Sequence, residues 1–398
     1  MKVSQRTSQI APSLTLEMTA KAKKMKAEGI SVIGFTAGEP DFNTPKYIID
    51  SAKKALDIGF TKYTPASGMA ELKNAICEKF KKDNGLDYKP SQIIISSGAK
   101  SSLYHAICAM VEEGDEVIIP SPYWLTYPEL VKLAGGKCVF VETKKENGYK
   151  ITAEQLKNAI TDKTTTIILN SPNNPTGAVY SKQELADLGK VIEENDLGVI
   201  SDEIYEKLIY NGKEFCSIAS LSEYLKDNTI VVNGVSKTYS MTGWRIGYLA
   251  APERIAKAIS SMQSHTTSNA CSISQYASVT ALTSPESEVF VKEMVKTFDE
   301  RRRYMIDFIN GVKGLTCAEP DGAFYLFIDV SYFYGKTFEG QKIDGSLSFA
   351  EALLKNGVAV IPGVCFGDDN AIRLSSSVAM NEIKEGLKRI KEFTEALV

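Results

Sequence analysis

Residues 231–248, with the sequence VVNGVSKTYSMTGWRIGY, hold a lysine and an arginine in a setting that favours chemistry. A short apolar run there ends in an Asn-Gly pair, which is typical of a buried strand that enters a turn. Lys237 follows on that turn beside Ser236, and Arg245 comes eight residues later at the start of a second apolar run. A lysine that is desolvated, or placed near another cation, loses its proton readily and becomes an amine nucleophile.

The neighbours of this lysine predict what the amine reacts with. An arginine, serine hydroxyls and the free N–H groups of a turn are the donors that a phosphate monoester needs. An amine beside a phosphate anchor suggests pyridoxal phosphate, whose aldehyde forms a Schiff base with lysine. The alternative is that Lys237 is a solvated surface lysine in a Ser/Thr-rich loop, and the stretch alone favours that alternative. The rest of the chain must therefore supply the other partners of the cofactor.

Composition excludes several other classes of function. A net charge of −3 and a pI near 5.8 give no electrostatic reason to expect nucleic acid or an anionic membrane as partner. The seven scattered cysteines form no C-x-x-C pair, and the two histidines argue against a histidine-based metal site. Residues 1–12 are polar and no apolar run approaches the length of a membrane span, so we expect a cytoplasmic protein without a signal peptide.

The elements that must position the lysine follow an alternating pattern. Helical periodicity covers residues 14–28, 45–58 and 69–82. Apolar strands then recur, mostly separated by helical segments, at residues 93–95, 116–119, 138–141, 166–169, 197–201, 229–233 and 245–250. Buried strands that alternate with helices predict an α/β fold with a mostly parallel sheet covered by helices on both faces. Ligands of such sheets bind at the carboxyl ends of the strands.

The chain changes character after residue 285. A long charged helix at 286–310 leads to strands at 323–330 and 358–361, a polar stretch at 331–346 between them, and a final helix from Asn381. We interpret this part as a smaller α+β domain that the N-terminal residues complete. The predicted division is a large domain at 46–285 and a small domain formed by 1–45 and 286–398. A chain of 398 residues is long enough for such a division.

Two strand ends carry candidates for binding the cofactor's phosphate and ring nitrogen. Ser97-Gly98-Ala99-Lys100 follows a strand and opens a helix, whose free N–H groups and dipole would hold a phosphate. The alternative there is an ordinary strand–helix turn. Asp202 ends another apolar strand, where an aspartate away from water needs a cationic partner. A protonated pyridine nitrogen would serve, and the pair would keep the ring an electron sink.

Two further turns after strands offer an aromatic face and an amide. Trp124 could stack on an aromatic ring, with plain core packing as an equal alternative. Asn174 lies in the turn Asn173-Asn174-Pro175-Thr176-Gly177, which a capping turn explains equally well.

Several motifs in order resemble the class I and II aminotransferases, which depend on pyridoxal phosphate. They are N-N-P-T-G, D-E-I-Y, S-K-x-Y-S-M-T-G-W-R-I-G-Y and A-I-R-L-S, and they span most of the chain. The early strings T-A-G-E-P-D-F and Y-T-P-A-S-G look like the bacterial-type aspartate aminotransferase branch. The resemblance implies the fold of pyridoxal-phosphate fold type I, a homodimer with shared active sites, and cis peptide bonds before Pro122 and Pro175.

The resemblance also implies a role for each cofactor-binding residue. Lys237 would form the Schiff base and later move the proton, and Asp202 would pair with the pyridine nitrogen. The ring would be held by Trp124, which stacks on it, and by Asn174 and Tyr205, which bond its phenolic oxygen. The phosphate would be bound by Gly98, Ala99, Lys100, Ser236 and Arg245, with Tyr63 reaching in from a partner subunit.

On the substrate side, the resemblance implies that Arg373 grips the α-carboxylate, with Gly38, Trp124 and Asn174 close by. Lys100 would bind the distal carboxylate of aspartate, with the hydroxyls of Ser13 and Thr15 over the same group. The alternative for Lys100 is a solvated lysine at a helix start. Branch members that accept prephenate tend to have a basic residue where this chain has Ala11, so we expect little activity with prephenate.

The predicted function is an aminotransferase that moves the amino group of aspartate to 2-oxoglutarate and gives oxaloacetate and glutamate. An aromatic or alanine donor, or a β-lyase reaction on the same scaffold, remains an alternative. A non-catalytic regulator is the other class considered, but the chain has no added DNA-binding segment and Lys237 is intact. We expect a role in amino-acid metabolism, small amino-acid and 2-oxo-acid substrates, and no metal.

Overall fold

The structure is a computed structural model that describes residues 1–398. Its α-helices are, in chain order, α1 (Gln5–Ser8), α2 (Leu14–Ala27), α3 (Lys46–Asp57), α4 (Ala70–Asn84), α5 (Ala99–Met110), α6 (Thr126–Ala134), α7 (Ala153–Ala159), α8 (Lys182–Glu194), α9 (Glu223–Asp227), α10 (Glu253–Thr266), α11 (Ser272–Thr283), α12 (Glu286–Asn310), α13 (Ser346–Lys355) and α14 (Met380–Glu395). None of these helices combines the length and the apolar character that a membrane span requires.

The strands are shorter towards the C-terminal end of the chain. They are β1 (Ile33–Gly34), β2 (Ile93–Ser96), β3 (Glu116–Ser121), β4 (Lys137–Glu142), β5 (Thr164–Asn170), β6 (Gly198–Asp202), β7 (Thr229–Gly234), β8 (Gly247–Ala250), β9 (Thr316–Cys317), β10 (Tyr325–Asp329), β11 (Thr337–Phe338), β12 (Gln341–Lys342), β13 (Val358–Ala359), β14 (Ile361–Pro362) and β15 (Ala371–Ser375).

Seven strands form the central sheet, in the order β2-β8-β7-β6-β5-β3-β4. The pairs among β7, β6, β5, β3 and β4 are parallel, and β8 runs antiparallel to both of its neighbours, β2 and β7. Every residue of β2 and β7 is buried, as expected for strands covered by helices on both faces. The fold is therefore α/β with a mostly parallel sheet, as predicted.

A second sheet has the order β14-β15-β10-β9, and all of its pairs are antiparallel. Near it, the N-terminal strand β1 pairs in parallel with β13, so that Ile33 lies opposite Val358. One hydrophobic cluster of 35 buried residues joins these strands to Met18, Phe35, Met305 and Phe349. The N-terminal and C-terminal parts of the chain thus share a core that is separate from the clusters around the central sheet.

The predicted elements agree with the structure to within a few residues, with three exceptions. The strand predicted at 245–250 begins only at Gly247, because Arg245 has a φ of 55° and ends a short 3₁₀ turn. The strand predicted at 358–361 is two short strands that belong to different sheets. The polar stretch at 331–346 contains the hairpin of β11 and β12. The bonds before Pro122 and Pro175 are cis, as expected, and so is the bond before Pro172.

Candidate active site

The carboxyl ends of three parallel strands meet at one edge of the central sheet. Asn170 ends β5 and lies opposite Asp202, which ends β6, and Asp202 lies opposite Val232 on β7. The turn after β7 carries Lys237 to the same edge. A cavity of about 640 Å³ opens there, and its other walls come from α2, the segment around Gly38 and the second sheet. Most of the residues predicted to do chemistry therefore line one cavity.

Asp202 is the most buried carboxylate of the cavity, with 3% of its surface exposed. The hydroxyl of Tyr127 donates to its Oδ2 atom at 2.7 Å, and the backbone N–H of Ile204 donates to Oδ1 at 3.3 Å. Burial raises the pKa of Asp202 to about 6, although the Tyr127 hydrogen bond and the charge of Lys237 oppose the rise. A cationic donor that reached this carboxylate from the cavity would stabilise its charged form.

Lys237 reaches into the cavity with an amine that loses its proton readily. Burial lowers the pKa of Lys237 to about 8; the Glu39 carboxylate opposes the drop, and the charges of Arg245 and Arg373 add to it. Its Nζ atom donates a hydrogen bond to the carbonyl oxygen of Gly38. A large fraction of this amine is therefore neutral near pH 8, the state in which a lysine acts as a nucleophile or as a base.

The start of α5 forms an anion-binding corner of the cavity with Arg245. The N–H groups of Ala99 and Lys100 belong to the first turn of this 12-residue helix, where no intrahelical acceptor exists. Gly98 adopts a φ of 86°, and a Cβ atom there would clash with the guanidinium of Arg245. Ser236 lies on the facing turn and lines the same cavity. Glycine at position 98 thus lets backbone and guanidinium approach the same small space, as a phosphate site requires.

Arg373 enters the cavity from β15 of the second sheet and is 4% exposed. Its Nη1 donates to Asn174 Oδ1 at 3.0 Å and its Nη2 donates to the Thr36 carbonyl oxygen at 3.1 Å, while the buried Nε has no partner. The guanidinium carbon lies 4.3 Å from the ring centre of Tyr325 and 5.2 Å from that of Phe366. Burial lowers the pKa of Arg373, so an anionic ligand would stabilise its charge.

Lys100 and the start of α2 form a further polar wall. The ammonium of Lys100 lies 4.8 Å from the ring centre of Trp124, and partial desolvation together with the charge of Arg245 lowers the pKa of Lys100. Trp124 lines the cavity with Lys100, which disfavours the alternative of plain core packing. The hydroxyl oxygens of Ser13 and Thr15 lie 2.9 Å apart, and Thr15 lines the cavity.

The cavity brings together most of the predicted site residues, but not all of them. Those that line it are Thr15, Gly38, Ala99, Lys100, Trp124, Asn174, Asp202, Tyr205, Ser236, Lys237, Arg245 and Arg373. Gly98 and Ser13 lie just behind this lining, against Arg245 and Thr15. Tyr63 is separate from the cavity of its own chain and has 91% of its surface exposed.

Three of the lining residues that the sequence analysis missed contact or neighbour predicted ones. Tyr127 binds Asp202, and its position three residues after Trp124 at a helix start was a signal that could have found it. Asn170 ends β5 beside Asp202, and polar ends of buried strands are general candidates. Tyr325 shares a 2.8 Å hydrogen bond with the hydroxyl of Tyr205, but it lies within an apolar strand and nothing local distinguishes it.

Comparisons of the sequence and of the fold find known proteins that the chain resembles. The family model for aminotransferase class I and II matches residues 30–390. The chain is 50% identical over 396 residues to an aspartate aminotransferase of Bacillus subtilis (strain 168), with 99% of each chain covered. It is 52% identical over 391 residues to an aspartate aminotransferase of Bacillus sp. (strain YM-2), with 98% of each covered. A crystal structure of an aspartate aminotransferase from Rhizobium meliloti superimposes with a TM-score of 0.96 at 41% identity, covering 100% of both chains.

Proposed function

Since the chain belongs to the class I and II aminotransferases, we propose that it moves the amino group of aspartate to 2-oxoglutarate, with pyridoxal phosphate as cofactor and oxaloacetate and glutamate as products. Relatives of full length, at 50% and 52% identity, are aspartate aminotransferases. The observation that carries the proposal is one cavity that holds the amine of Lys237, the buried carboxylate of Asp202 and the buried guanidinium of Arg373.

The residues of the cavity fit this cofactor. A phosphate suits the corner between the start of α5, Ser236 and Arg245, where a side chain at position 98 would fill the space. A protonated ring nitrogen suits Asp202, because that buried carboxylate receives hydrogen bonds but no ion pair from the chain. We propose that Trp124 would hold the ring by stacking and that Tyr205 and Asn174 would bind its phenolic oxygen.

The chain's own residues prepare the reaction in two ways. When bound, pyridoxal phosphate supplies an aldehyde that reacts with amines and a ring that accepts the electrons of the substrate's Cα–H bond. Lys237 has its pKa lowered to about 8 and can therefore take the proton from Cα as a neutral amine and return it at the next stage. Asp202, which accepts a hydrogen bond from Tyr127, supplies a negative charge that would stabilise the protonated ring nitrogen.

Arg373 is the proposed ligand of the α-carboxylate. Its guanidinium is fixed by Asn174 and Thr36 and lies against the ring of Tyr325, so it keeps one orientation. The buried Nε has no partner in the chain. A fixed, two-pronged donor positions Cα relative to Lys237, and positioning of this kind is a large part of rate acceleration.

Lys100 is the proposed ligand of the distal carboxylate, with the hydroxyls of Ser13 and Thr15 completing the site. Lys100→Ala should lower kcat/KM for aspartate by a factor that corresponds to about 1.5–3 kcal/mol of lost transition-state stabilisation, the range for a hydrogen bond to a charged group. With alanine as the amino donor, which lacks that carboxylate, kcat/KM should fall far less. Equal losses for all donors would show that Lys100 serves the cofactor or the fold, and the aspartate assignment would lose its main physical support.

A panel of amino donors with 2-oxoglutarate, followed by cofactor absorbance, tests the function itself. Aspartate should convert the cofactor to its amino form with the highest kcat/KM. A preference for alanine or an aromatic amino acid would favour another donor class. Release of pyruvate and ammonia from a cysteine conjugate would favour a β-lyase.

We further propose a homodimer with shared active sites and a division into a domain of residues 46–285 and one of 1–45 with 286–398. The exposed aromatic ring of Tyr63 supports the dimer, because an aromatic side chain that is 91% exposed suits a partner's surface. The core shared by Met18, Phe35 and Phe349 supports the division. A cytoplasmic location stays a prediction from the sequence.

A further inference from the structure

Helix α2 presents a polar stripe to the cavity. Thr15, Thr19, Lys23 and Lys26 all line it, and their spacings of four, four and three residues place them on one face of the helix. The two threonines are partly buried and the two lysines are exposed, so the stripe runs from the cavity towards solvent. The wall that begins at the proposed site for the distal carboxylate therefore continues outward as two lysines.

The charges of these two lysines are uncompensated. Lys21, on the same helix, lies 3.2 Å from Glu17 and 3.3 Å from Glu351, and Lys24 lies 4.0 Å from Glu28. The side-chain amines of Lys23 and Lys26 have no carboxylate within 4.0 Å and no hydrogen-bond partner. Of the four lysines between residues 21 and 26, only the two that line the cavity are left unpaired.

The cavity is electropositive although the protein as a whole is acidic. Its lining contains six cationic side chains, Lys23, Lys26, Lys100, Lys237, Arg245 and Arg373, against two carboxylates, Glu39 and Asp202. The whole chain carries a net charge of −3. A cleft lined by one sign of charge focuses the field and concentrates ligands of the opposite sign.

We propose that Lys23 and Lys26 form an entry guide that attracts the dianionic 2-oxo acid through the field of their charges, and so biases the enzyme towards dicarboxylates before Lys100 or Arg373 makes contact. This inference rests on the proposed function and adds specificity residues to it. A contact with the distal carboxylate would affect aspartate and 2-oxoglutarate alike, because both carry that group. An effect of the field follows net charge instead: −2 for 2-oxoglutarate, −1 for aspartate and zero for alanine.

The test compares the holoenzyme of the double variant Lys23→Gln/Lys26→Gln with wild type at about 0.02 M and 0.2 M salt. For two unit charges that act on a dianion about 10 Å away, kcat/KM for 2-oxoglutarate should fall about three- to tenfold at the lower salt and about twofold or less at the higher. The loss for aspartate should be smaller, and alanine should be unaffected. Binding of maleate, a dianion that is not a substrate, should weaken in parallel with 2-oxoglutarate.

Two control variants separate charge from structure. Lys24→Gln removes a charge from the same helix at a position outside the cavity lining and should leave all these values unchanged. Lys23→Arg/Lys26→Arg keeps the charges and should behave as wild type. Equal losses for all three substrates, or a salt dependence that matches wild type, would overturn the entry guide.

The outcome for the entry guide is distinct from the outcome for the proposed function. If wild type fails to use aspartate with 2-oxoglutarate, the proposed function is wrong, and maleate binding still decides whether Lys23 and Lys26 attract dianions. If wild type uses both substrates and the double variant binds maleate equally well at low salt, only the entry guide is wrong.

Discussion

Asp202 is held in the protein without an ion pair, so Asp202→Asn should make the cofactor-free enzyme more stable. The carboxylate is 3% exposed and receives hydrogen bonds from the Tyr127 hydroxyl and the Ile204 N–H. Asparagine has nearly the same shape and keeps an oxygen for one of these donors. What it removes is the cost of placing a negative charge in a buried site.

The size of the effect follows from the pKa of Asp202, which burial raises from 3.8 to about 6. Because each pKa unit corresponds to about 1.4 kcal/mol, the ionised carboxylate costs the folded protein about 3 kcal/mol at pH 7.5. The folded form binds this proton more tightly than the unfolded chain does, so the cost declines as the pH falls from 6 towards 4. At pH 5 it should be about half as large.

The assay is urea unfolding of both proteins without cofactor, at pH 7.5 and at pH 5. The free energy of unfolding of Asp202→Asn should exceed that of wild type by about 3 kcal/mol at pH 7.5 and by about half of that at pH 5. An exposed aspartate gives the matched control: Asp162→Asn should change little at either pH.

Addition of pyridoxal phosphate should narrow this difference. A protonated ring nitrogen next to Asp202 stabilises the carboxylate, so wild type should gain more stability from the cofactor than the asparagine variant gains. A variant that is less stable than wild type without cofactor, or a difference that does not change between pH 7.5 and 5, would refute the reasoning. So would equal stabilisation of both proteins by the cofactor.

Three further predictions concern the covalent link, the α-carboxylate and the dimer. Borohydride reduction of the holoenzyme should fix the cofactor to Lys237 and to no other lysine. The Lys237→Ala variant should bind cofactor but lose turnover by orders of magnitude. In the cofactor-free enzyme, an amine-reactive reagent should label Lys237 with a midpoint near pH 8. Arg373→Lys should lower kcat/KM for aspartate and alanine alike by about 10²- to 10³-fold without changing cofactor absorbance, because every donor has the α-carboxylate; a loss confined to one donor would contradict that role. Tyr63→Ala and Lys237→Ala subunits, inactive alone, should regain activity when they are mixed under conditions of subunit exchange, since one site of the hybrid is then intact, and no recovery would contradict shared sites.

The sequence was most informative where the local pattern and the chemistry agree. Lys237 and Asp202 each follow an apolar run, and such runs become adjacent parallel strands whose carboxyl ends meet. The period of the pattern therefore predicted both the fold and one edge of the site. The glycine at position 98 was less clear, since an ordinary strand–helix turn explains it in the sequence; the structure adds the reason for a glycine, because its φ of 86° and the closeness of Arg245 leave no room for a side chain.

The sequence was least informative where a contact depends on packing between distant segments. Tyr325 lies in an apolar strand of ordinary composition, and only the folded chain brings its hydroxyl to Tyr205. The break before Gly247 also escaped prediction, because arginine is not a residue type that favours the left-handed conformation, with a φ of 55°, that Arg245 adopts there.

The separation between Lys237 and Arg373 is a further quantity that no local pattern contains. Lys237 lies on the turn after β7 of the central sheet, whereas Arg373 belongs to β15 of the second sheet, and the segment around Gly38 connects the two. Its Phe35 N–H donates to the Ala359 carbonyl oxygen at 2.8 Å on the side of the second sheet, and its Thr44 hydroxyl donates to the Ser240 carbonyl oxygen at 2.6 Å on the side of the central sheet.

Between these two anchors the segment contacts both proposed functional residues. The Thr36 carbonyl oxygen accepts from Arg373, and the Gly38 carbonyl oxygen accepts from Lys237. Arg301 of α12 then binds both carboxylate oxygens of Asp41, at 2.7 and 2.9 Å. A short, doubly anchored segment thus sets how far the proposed α-carboxylate ligand lies from the proposed base, and small errors in that distance are costly for catalysis. In the sequence, the glycine and proline of T-A-G-E-P-D-F indicate only a turn. That this segment sets the distance between the central sheet and the second sheet is visible only in the fold.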